Sequence, residues 1–160
     1  MLSLLRDLLA HMEWADAVFF HAWGKSPARD HEELRQRVAH VVGVQGGFLS
    51  LLRGESFGRP PDGPPPAFDD LKARAQKSHA DLLAFVGSLD AAGPERTVRV
   101  PWFPDPPCVV TAAQALVQVA MHTQHHRGQL MTRLKDFGGQ PANVDWIIWL
   151  WKGRPQGRWS

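Results

Sequence analysis

Apolar residues recur every three or four positions along four long stretches of the chain, a spacing that predicts four amphipathic helices. The predicted helices cover about residues 2–23, 32–53, 69–92 and 111–137. Gly54 stands where a left-handed residue often ends a helix, and Asp69 and Asp70 favour the positive end of the third helix. Thr111 is placed to cap the fourth helix, and Pro141 follows its end. Four long helices in one chain predict a four-helix bundle.

The segments between and after these helices predict a long connection, a flap and a short final helix. Eight of the thirteen residues from 54 to 66 are Gly or Pro, which predicts an irregular crossover between helices two and three. Residues 97–100 and 108–110 flank a Pro-rich segment and are interpreted as two short strands or an extended flap. The aromatic stretch 145–151 is typical of a short helix, before a loose tail. We therefore expect one all-α domain covering residues 1–160.

The composition is that of an ordinary soluble globular protein, with 44% hydrophobic and 21% charged residues. The formal net charge of +2 arises from scattered Lys and Arg, so we expect neither a nucleic acid nor a membrane as partner. The single cysteine, Cys108, excludes an internal disulfide and suits a reducing compartment. Arg6 and Asp7 interrupt the N-terminal apolar segment before signal-peptide length, and no later stretch could span a bilayer. These features predict a cytoplasmic protein.

Histidines replace hydrocarbon in the predicted inward stripe of helix four, which contains the run His-Thr-Gln-His-His. His122 and His126 are four residues apart, so their imidazoles lie one above the other and can aim at one point. They share the stripe with Leu116 and Leu130, which predicts that they point into the bundle. His125 lies about 100° further round the helix. If His122 and His126 bind one metal ion, His125 cannot easily share it, and it is therefore interpreted as a group that supports these two ligands, a subunit contact or a surface residue.

A third imidazole comes from helix two. His40 shares a helical file with Val44 and Gly47, which predicts that its ring also projects into the interior. Two imidazoles bind a divalent cation weakly, whereas three can hold it and leave a position open for water or substrate. The alternative for His40 is a hydrogen-bonded core histidine, and the helix-four pair could equally be solvated surface.

Two acids of helix one are candidates for handling protons beside such a metal. Asp16 falls on the stripe of Met12 and Phe19, where a carboxylate is costly unless a metal or the ring N–H of a metal ligand pairs with it. Glu13 is close by on the same helix and could take this role instead. The alternative is that Asp16 is a surface or helix-boundary acid.

Four short motifs are spread over nearly the whole chain, namely His11-Met12-Glu13-Trp14-Ala15-Asp16, His40-Val41-Val42-Gly43-Val44, His122-Thr123-Gln124-His125-His126-Arg127-Gly128-Gln129 and Asp145-Trp146. Together they resemble the DinB/YfiT-like superfamily of metalloenzymes, a group of bacterial damage-inducible proteins. The resemblance implies an up-down-down-up four-helix bundle, a homodimer, and a divalent metal on one histidine of helix two and two of helix four. Those positions are His40, His122 and His126 here.

Two positions depart from the family's pattern. Asp16 stands where the family often has Asn, and Gln45 stands where it often has an acid, so roles at those positions do not transfer. The family includes isomerases and S-transferases that use mycothiol or bacillithiol. A small-molecule substrate and a low-molecular-weight thiol are therefore candidate partners.

The predicted site supports two main hypotheses about function. In the first, a divalent ion acidifies a bound water or holds a thiolate, as in a metal-dependent hydrolase or thiol S-transferase, with Asp16 or Glu13 handling protons. In the second, a non-catalytic stress-response protein binds a metal or small molecule, and the ion mainly stabilises the bundle. A DNA-contacting protein is a third hypothesis, supported only by the mild basicity. Imidazole suits several divalent ions. Zn or Ni is the expected metal, and Fe or Mn is the alternative.

Overall fold

Four long helices, a small antiparallel hairpin and a short terminal helix make up the fold. The computed structural model describes residues 1–56, 63–103 and 105–159. The elements are α1 (Leu2–Gly24), α2 (Glu32–Arg53), α3 (Phe68–Ser88), β1 (Thr97–Val100), β2 (Cys108–Thr111), α4 (Ala112–Asp136) and α5 (Trp146–Trp151). They confirm the predicted all-α bundle, with its flap before the fourth long helix and its short C-terminal helix.

The packing of the long helices places α2 beside α4. Helices α1 and α2 each contact both α3 and α4. The long connection lies between α2 and α3, as an up-down-down-up bundle requires. The prediction of an irregular crossover concerns residues 54–66, of which 57–62 lie outside the described residues. The neighbouring pair α2 and α4 carries all three predicted metal ligands.

Local hydrogen bonds explain where two of the helices begin and end. The Thr111 hydroxyl accepts the Gln114 N–H at 3.1 Å, while the Thr111 N–H donates to the Gln114 side-chain oxygen at 2.9 Å. This reciprocal capping box satisfies donors that the first turn of α4 would otherwise leave free. Helix α2 ends at Gly54, whose φ of 75° is left-handed and therefore suits a residue without Cβ.

Helix α3 ends earlier than the sequence pattern predicts. The predicted end was near residue 92, whereas the observed helix stops at Ser88. The Asp90 carboxylate accepts the backbone N–H groups of Ala92 and Gly93, at 3.1 and 2.7 Å, and this local turn competes with helix continuation. A short 3-10 helix, Gly93–Glu95, leads into β1.

The hairpin covers one side of the α2 and α4 pair. Strands β1 and β2 are antiparallel, with Val98 opposite Val110 and Val100 opposite Cys108. Strand β1 contacts α2, and β2 contacts α4. The hairpin therefore lies across the groove between the two helices that carry the histidines.

Two clusters of buried hydrocarbon hold the long helices together. Each cluster takes one fully buried large residue from every long helix: Leu9, Leu52, Leu82 and Leu116 in one, and Trp23, Leu34, Leu71 and Leu134 in the other. Burying one such side chain stabilises the fold by about 1.5–3 kcal/mol. Within the residues that the structure describes, every helix falls short of the length or hydropathy that a membrane span needs.

The C-terminal residues pack onto the bundle, and the prediction of a loose tail is wrong. Trp149 of α5 is buried, and its indole N–H donates to the Pro155 carbonyl at 2.9 Å. Trp159 packs against Phe20, with the ring centroids 5.6 Å apart. Aromatic side chains in the tail supply the apolar area that ties it down.

Candidate metal centre

Three imidazoles from two helices meet in the groove between α2 and α4. His40 comes from α2, and His122 and His126 come from successive turns of α4. One nitrogen of each ring lies within 4.8 Å of the corresponding nitrogens of the other two. The Nε2 atoms of His40 and His122 are 3.3 Å apart. Nitrogen ligands at about 2.0–2.1 Å from a tetrahedral zinc ion are themselves about 3.3 Å apart, so the cluster fits one ion.

The rings lie at the edge of the bundle, and the prediction that they point into its interior is wrong. His40 is exposed, and His122 and His126 are half-buried. The buried face of α4 instead includes Thr123 and Arg127. These two positions lie about 100° round the helix from the histidines. The leucines of α4, Leu116, Leu130 and Leu134, are all buried on this same face, so the predicted stripe was drawn too far round the helix when it included the histidines.

Gln129 fixes the orientation of His126. The Arg37 guanidinium lies 3.2 Å from one side-chain atom of Gln129, and because a guanidinium can only donate, that atom must be the oxygen. The same oxygen is 3.0 Å from His126 Nδ1, so Nδ1 carries the hydrogen and donates it. The lone pair of His126 is then on Nε2, the arrangement found in metal-ligating histidines.

The same amide accounts for His125. The Gln129 side-chain nitrogen donates to His125 Nε2 at 3.0 Å, and His125 stays outside the imidazole cluster. Of the roles considered for His125, support of the ligands is the one this hydrogen bond favours. Gln129 and Arg37 were not singled out from the sequence. The signal for Gln129 was its position three residues after His126, where helical side chains meet.

The electrostatics of the cluster favour neutral imidazoles at His40 and His122. Burial lowers the pKa of His122 to about 4, and the neighbouring rings of His126 and His40 add to the effect. The pKa of His40 is also lowered, by burial and then by His126. The buried His122 Nδ1 has no hydrogen-bond partner among the described residues. Neutral imidazoles keep the lone pairs that a divalent cation requires.

The comparison with protein families agrees with this geometry. A family model described as the DinB superfamily matches residues 6–130, a segment that contains all three clustered histidines and Gln129. The chain belongs to the DinB superfamily. Searches of curated proteins and of solved structures gave no significant match.

In this DinB superfamily chain Asp16 is part of a buried ion-pair network. Its Oδ1 accepts from Arg127 at 2.6 Å, and its Oδ2 accepts from His79 Nε2 at 2.9 Å. Burial alone would raise the pKa of Asp16, but Arg127 and His79 together outweigh burial and hold that pKa below its ordinary value. The Asp16 carboxylate is thus paired, as its place on the apolar stripe required. Its partners, Arg127 and His79, lie outside the imidazole cluster, and Asp16 is buried rather than a surface acid.

Neither acid of α1 belongs to the imidazole cluster of the DinB superfamily chain. Within the described part of the chain, the group of side chains placed to share an ion consists of the three histidines alone. Glu13 is half-buried, and its carboxylate lies 3.5 Å from the Trp159 indole nitrogen. A role for Asp16 or Glu13 in proton transfer stays a prediction.

Gln45, which departs from the family's pattern, also has a partner in the interior. Its side-chain nitrogen donates to the Thr123 hydroxyl at 3.1 Å, and both residues are buried. An amide suits this place because the hydroxyl can accept its hydrogen, whereas a carboxylate would add an unpaired buried charge. In this DinB superfamily chain, Gln45 therefore joins α2 to α4, the two helices that carry the histidines.

Proposed function

We propose that His40, His122 and His126 bind one divalent metal ion and that the protein is a metal-dependent enzyme of the hydrolase or thiol S-transferase class. The observation that carries the metal site is the 3.3 Å separation of the His40 and His122 Nε2 atoms, with His126 completing the cluster. Zn or Ni is the expected metal because the donors are neutral imidazole nitrogens of intermediate softness.

A hydrogen bond between two rings is the simpler explanation of that distance, but it accounts for less. An N–H···N bond would use one hydrogen of the His40 and His122 pair and would leave His126 without a reason to join them. Gln129 holds the hydrogen of His126 on Nδ1, which presents the Nε2 lone pair to a cation. A cation satisfies three lone pairs at once, which one proton cannot do.

The exposure of the site supports an enzyme more than a closed structural centre. Three protein ligands leave at least one coordination position, and His40 is exposed to solvent. When bound, the cation would supply Lewis acidity for a hydrolytic or thiol-transfer reaction near neutral pH. The chain's own residues hold the site: α2 and α4 set the ring positions, and Gln129 keeps the ligand tautomer of His126.

A non-catalytic metal-binding protein of the stress response is the second candidate. The donors come from two different helices, so an ion would crosslink α2 to α4 and stabilise the bundle. Asp16, one of the two acids expected to handle protons, is already paired with Arg127 and His79. This hypothesis expects a metal-dependent rise in melting temperature and no turnover in hydrolase and thiol-transfer screens.

Elemental analysis of two matched variants tests the metal site. We expect about one Zn or Ni per chain in the wild-type protein after reconstitution, and a loss of affinity of at least about 100-fold in His122→Ala. His21→Ala is the control, because it removes an exposed imidazole of α1 that lies outside the cluster. Stoichiometric metal in His122→Ala, or none in the reconstituted wild type, would contradict the proposal.

A further inference from the structure

A cavity of about 800 Å³ lies beside the imidazole cluster, and His40 and His122 are part of its wall. Residues of α2, of α4 and of the hairpin enclose it. Its volume falls within the range of about 300–1,000 Å³ that is usual for small-molecule sites. Of the residues that line the cavity, only His40 and His122 belong to the proposed metal site. Most of the cavity therefore has no role in binding the ion.

The wall of this cavity is apolar. Helix α2 contributes Val44 and Phe48, and the hairpin contributes Val100 and Val110. Among the described residues, none of the side chains that line it is Lys, Arg, Asp or Glu. The polar side-chain groups in its wall are the two imidazoles, the thiol of Cys108, the indole N–H of Trp102 and two glutamine carboxamides. In the metal-free protein a charged ligand would lose its hydration here without gaining an ionic partner, which is costly.

Two large aromatic side chains in the turn of the hairpin also line the cavity. Trp102 is 38% exposed and Phe103 is 57% exposed, although both belong to the residue types that folding usually buries. Phe48 packs edge-on against Trp102, with the ring centroids 5.3 Å apart. A bound aromatic molecule would cover apolar area that the protein itself leaves open, and could stack on these rings.

We propose that the cavity binds an uncharged, largely aromatic small molecule and directs its polar end towards His40 and His122. Binding follows from the apolar wall and requires no metal. The further statement that this molecule is the substrate rests on the proposed metal-dependent function. Gln118, on the cavity wall, is the side chain that would accept or donate a hydrogen bond to a neutral ligand, and Gln114, whose oxygen already accepts from Thr111, could donate through its amide nitrogen.

Gly43 offers a way to fill the cavity without disturbing the protein. It lies on the cavity wall, and a Cβ added there would meet no atom within 4 Å. Gly46, on the same helix, also has no atom within 4 Å of an added Cβ but does not line the cavity. Gly43→Leu and Gly46→Leu therefore add the same side chain and the same helix propensity, and differ only in where the side chain goes.

Fluorescence titration with N-phenyl-1-naphthylamine, a neutral aromatic probe, tests the proposal on the full-length chain stripped of metal. We expect binding to the wild type and to Gly46→Leu, and affinity at least tenfold weaker in Gly43→Leu. The sulfonated analogue 8-anilino-1-naphthalenesulfonate should also bind the wild type at least tenfold more weakly. Equal binding by the two leucine variants, or a preference for the sulfonate, would overturn the proposal.

The single cysteine gives a second readout that reports on this cavity alone. Cys108 lines it, so the neutral probe should slow maleimide labelling of the wild type and of Gly46→Leu, and should not slow labelling of Gly43→Leu. Unchanged labelling of the wild type would count against the site. Because the titration is done without metal, probe binding by a chain that never retains metal would uphold the cavity and contradict only the metal site. Stoichiometric metal without probe binding would uphold the metal site and contradict the cavity proposal.

Discussion

Two adjacent faces of α4 carry polar residues that differ in the kind of group they contact. On the buried face, Arg127 pairs with Asp16 at 2.6 Å, and Thr123 accepts a hydrogen bond from Gln45 at 3.1 Å. On the groove face, which borders α2, His122 and His126 lie close to each other and to His40 of α2. The first face joins donors to acceptors, whereas the second gathers groups of the same kind.

This difference separates a structural network from a candidate functional site. The buried contacts pair a carboxylate with a guanidinium and an amide with a hydroxyl, which fixes how the helices pack. Three atoms of this network, Gln45 Oε1, His79 Nδ1 and Arg127 Nε, have no hydrogen-bond partner among the described residues. The His126 ring lowers the pKa of both His40 and His122, and the close approach of the ring nitrogens is an arrangement that an added cation would bridge. The buried network therefore sets the rotation of α4, and the groove face depends on that rotation to bring its rings together.

Removing the acid from the buried network should have the largest effect. Asp16→Asn leaves the Arg127 guanidinium, which is 3% exposed, without its counter-charge. We expect the free energy of unfolding to fall by about 3–5 kcal/mol, because a buried charge without a partner is strongly destabilising. Urea unfolding of the metal-free protein, followed by tryptophan fluorescence, measures this loss.

An ion pair of the same length at the surface provides the control. The Arg29 and Asp69 side chains are also 2.6 Å apart, but the Asp69 side chain is 76% exposed. Asp69→Asn should cost no more than about 1 kcal/mol, because solvent screens the pair. Similar losses in the two Asn variants would mean that the buried network is not what holds α4 in place.

Much of the fold could be predicted from the sequence because its signals are local. Helix periodicity, the Thr111 cap and the Gly54 stop each depend on a few neighbouring residues. The three clustered histidines were also identified, through the four-residue spacing of the α4 pair and the family resemblance. The chain's membership of the DinB superfamily is confirmed.

The partners of buried polar residues could not be predicted in the same way. Asp16, His79 and Arg127 come from three helices, and no spacing in the chain shows which donor meets which acceptor. The buried face of α4 was misplaced for a related reason. The inward stripe predicted through His122 and His126 did not include Arg127, and only the pairing of Arg127 across the core makes its burial favourable.

The hydrogen bond that orients His126 should have an intermediate effect. Gln129→Ala removes the acceptor that holds hydrogen on Nδ1, so the Nε2 lone pair is no longer fixed towards the cluster. We expect metal affinity to fall by about 10–100-fold, because supporting groups of this kind contribute that much. Competition with a chelator of known affinity measures the change.

A glutamine away from the site controls for the loss of an amide. Gln36→Ala on α2 removes a side chain that bonds Glu32 on the exposed surface, so metal affinity should not change. Arg37→Met should weaken metal binding less than Gln129→Ala does, because it removes only the group that orients the amide. Wild-type affinity in Gln129→Ala would show that the orientation of His126 does not depend on this bond.

The smallest effect should be in the titration of the groove face without metal. His122 has a pKa of about 4, whereas an unfolded chain takes up that proton near pH 6.5. Because the folded pKa is the lower one, this ring's contribution to stability is present above pH 6.5 and is lost as the pH falls towards 4. Nuclear magnetic resonance of the ring protons in the metal-free protein follows the titration directly.

Substitution of a neighbouring ring shows how much of that low pKa comes from the cluster. Burial is the main cause for His122 and His126 is the next, so His126→Gln should raise the pKa of His122 without restoring its ordinary value. A midpoint near 6.5 in the wild type would mean that His122 is not crowded as described. A midpoint unmoved by His126→Gln would mean that His126 does not help to set it, and the contrast between a face of paired opposite charges and a face of crowded like groups would lose its electrostatic basis.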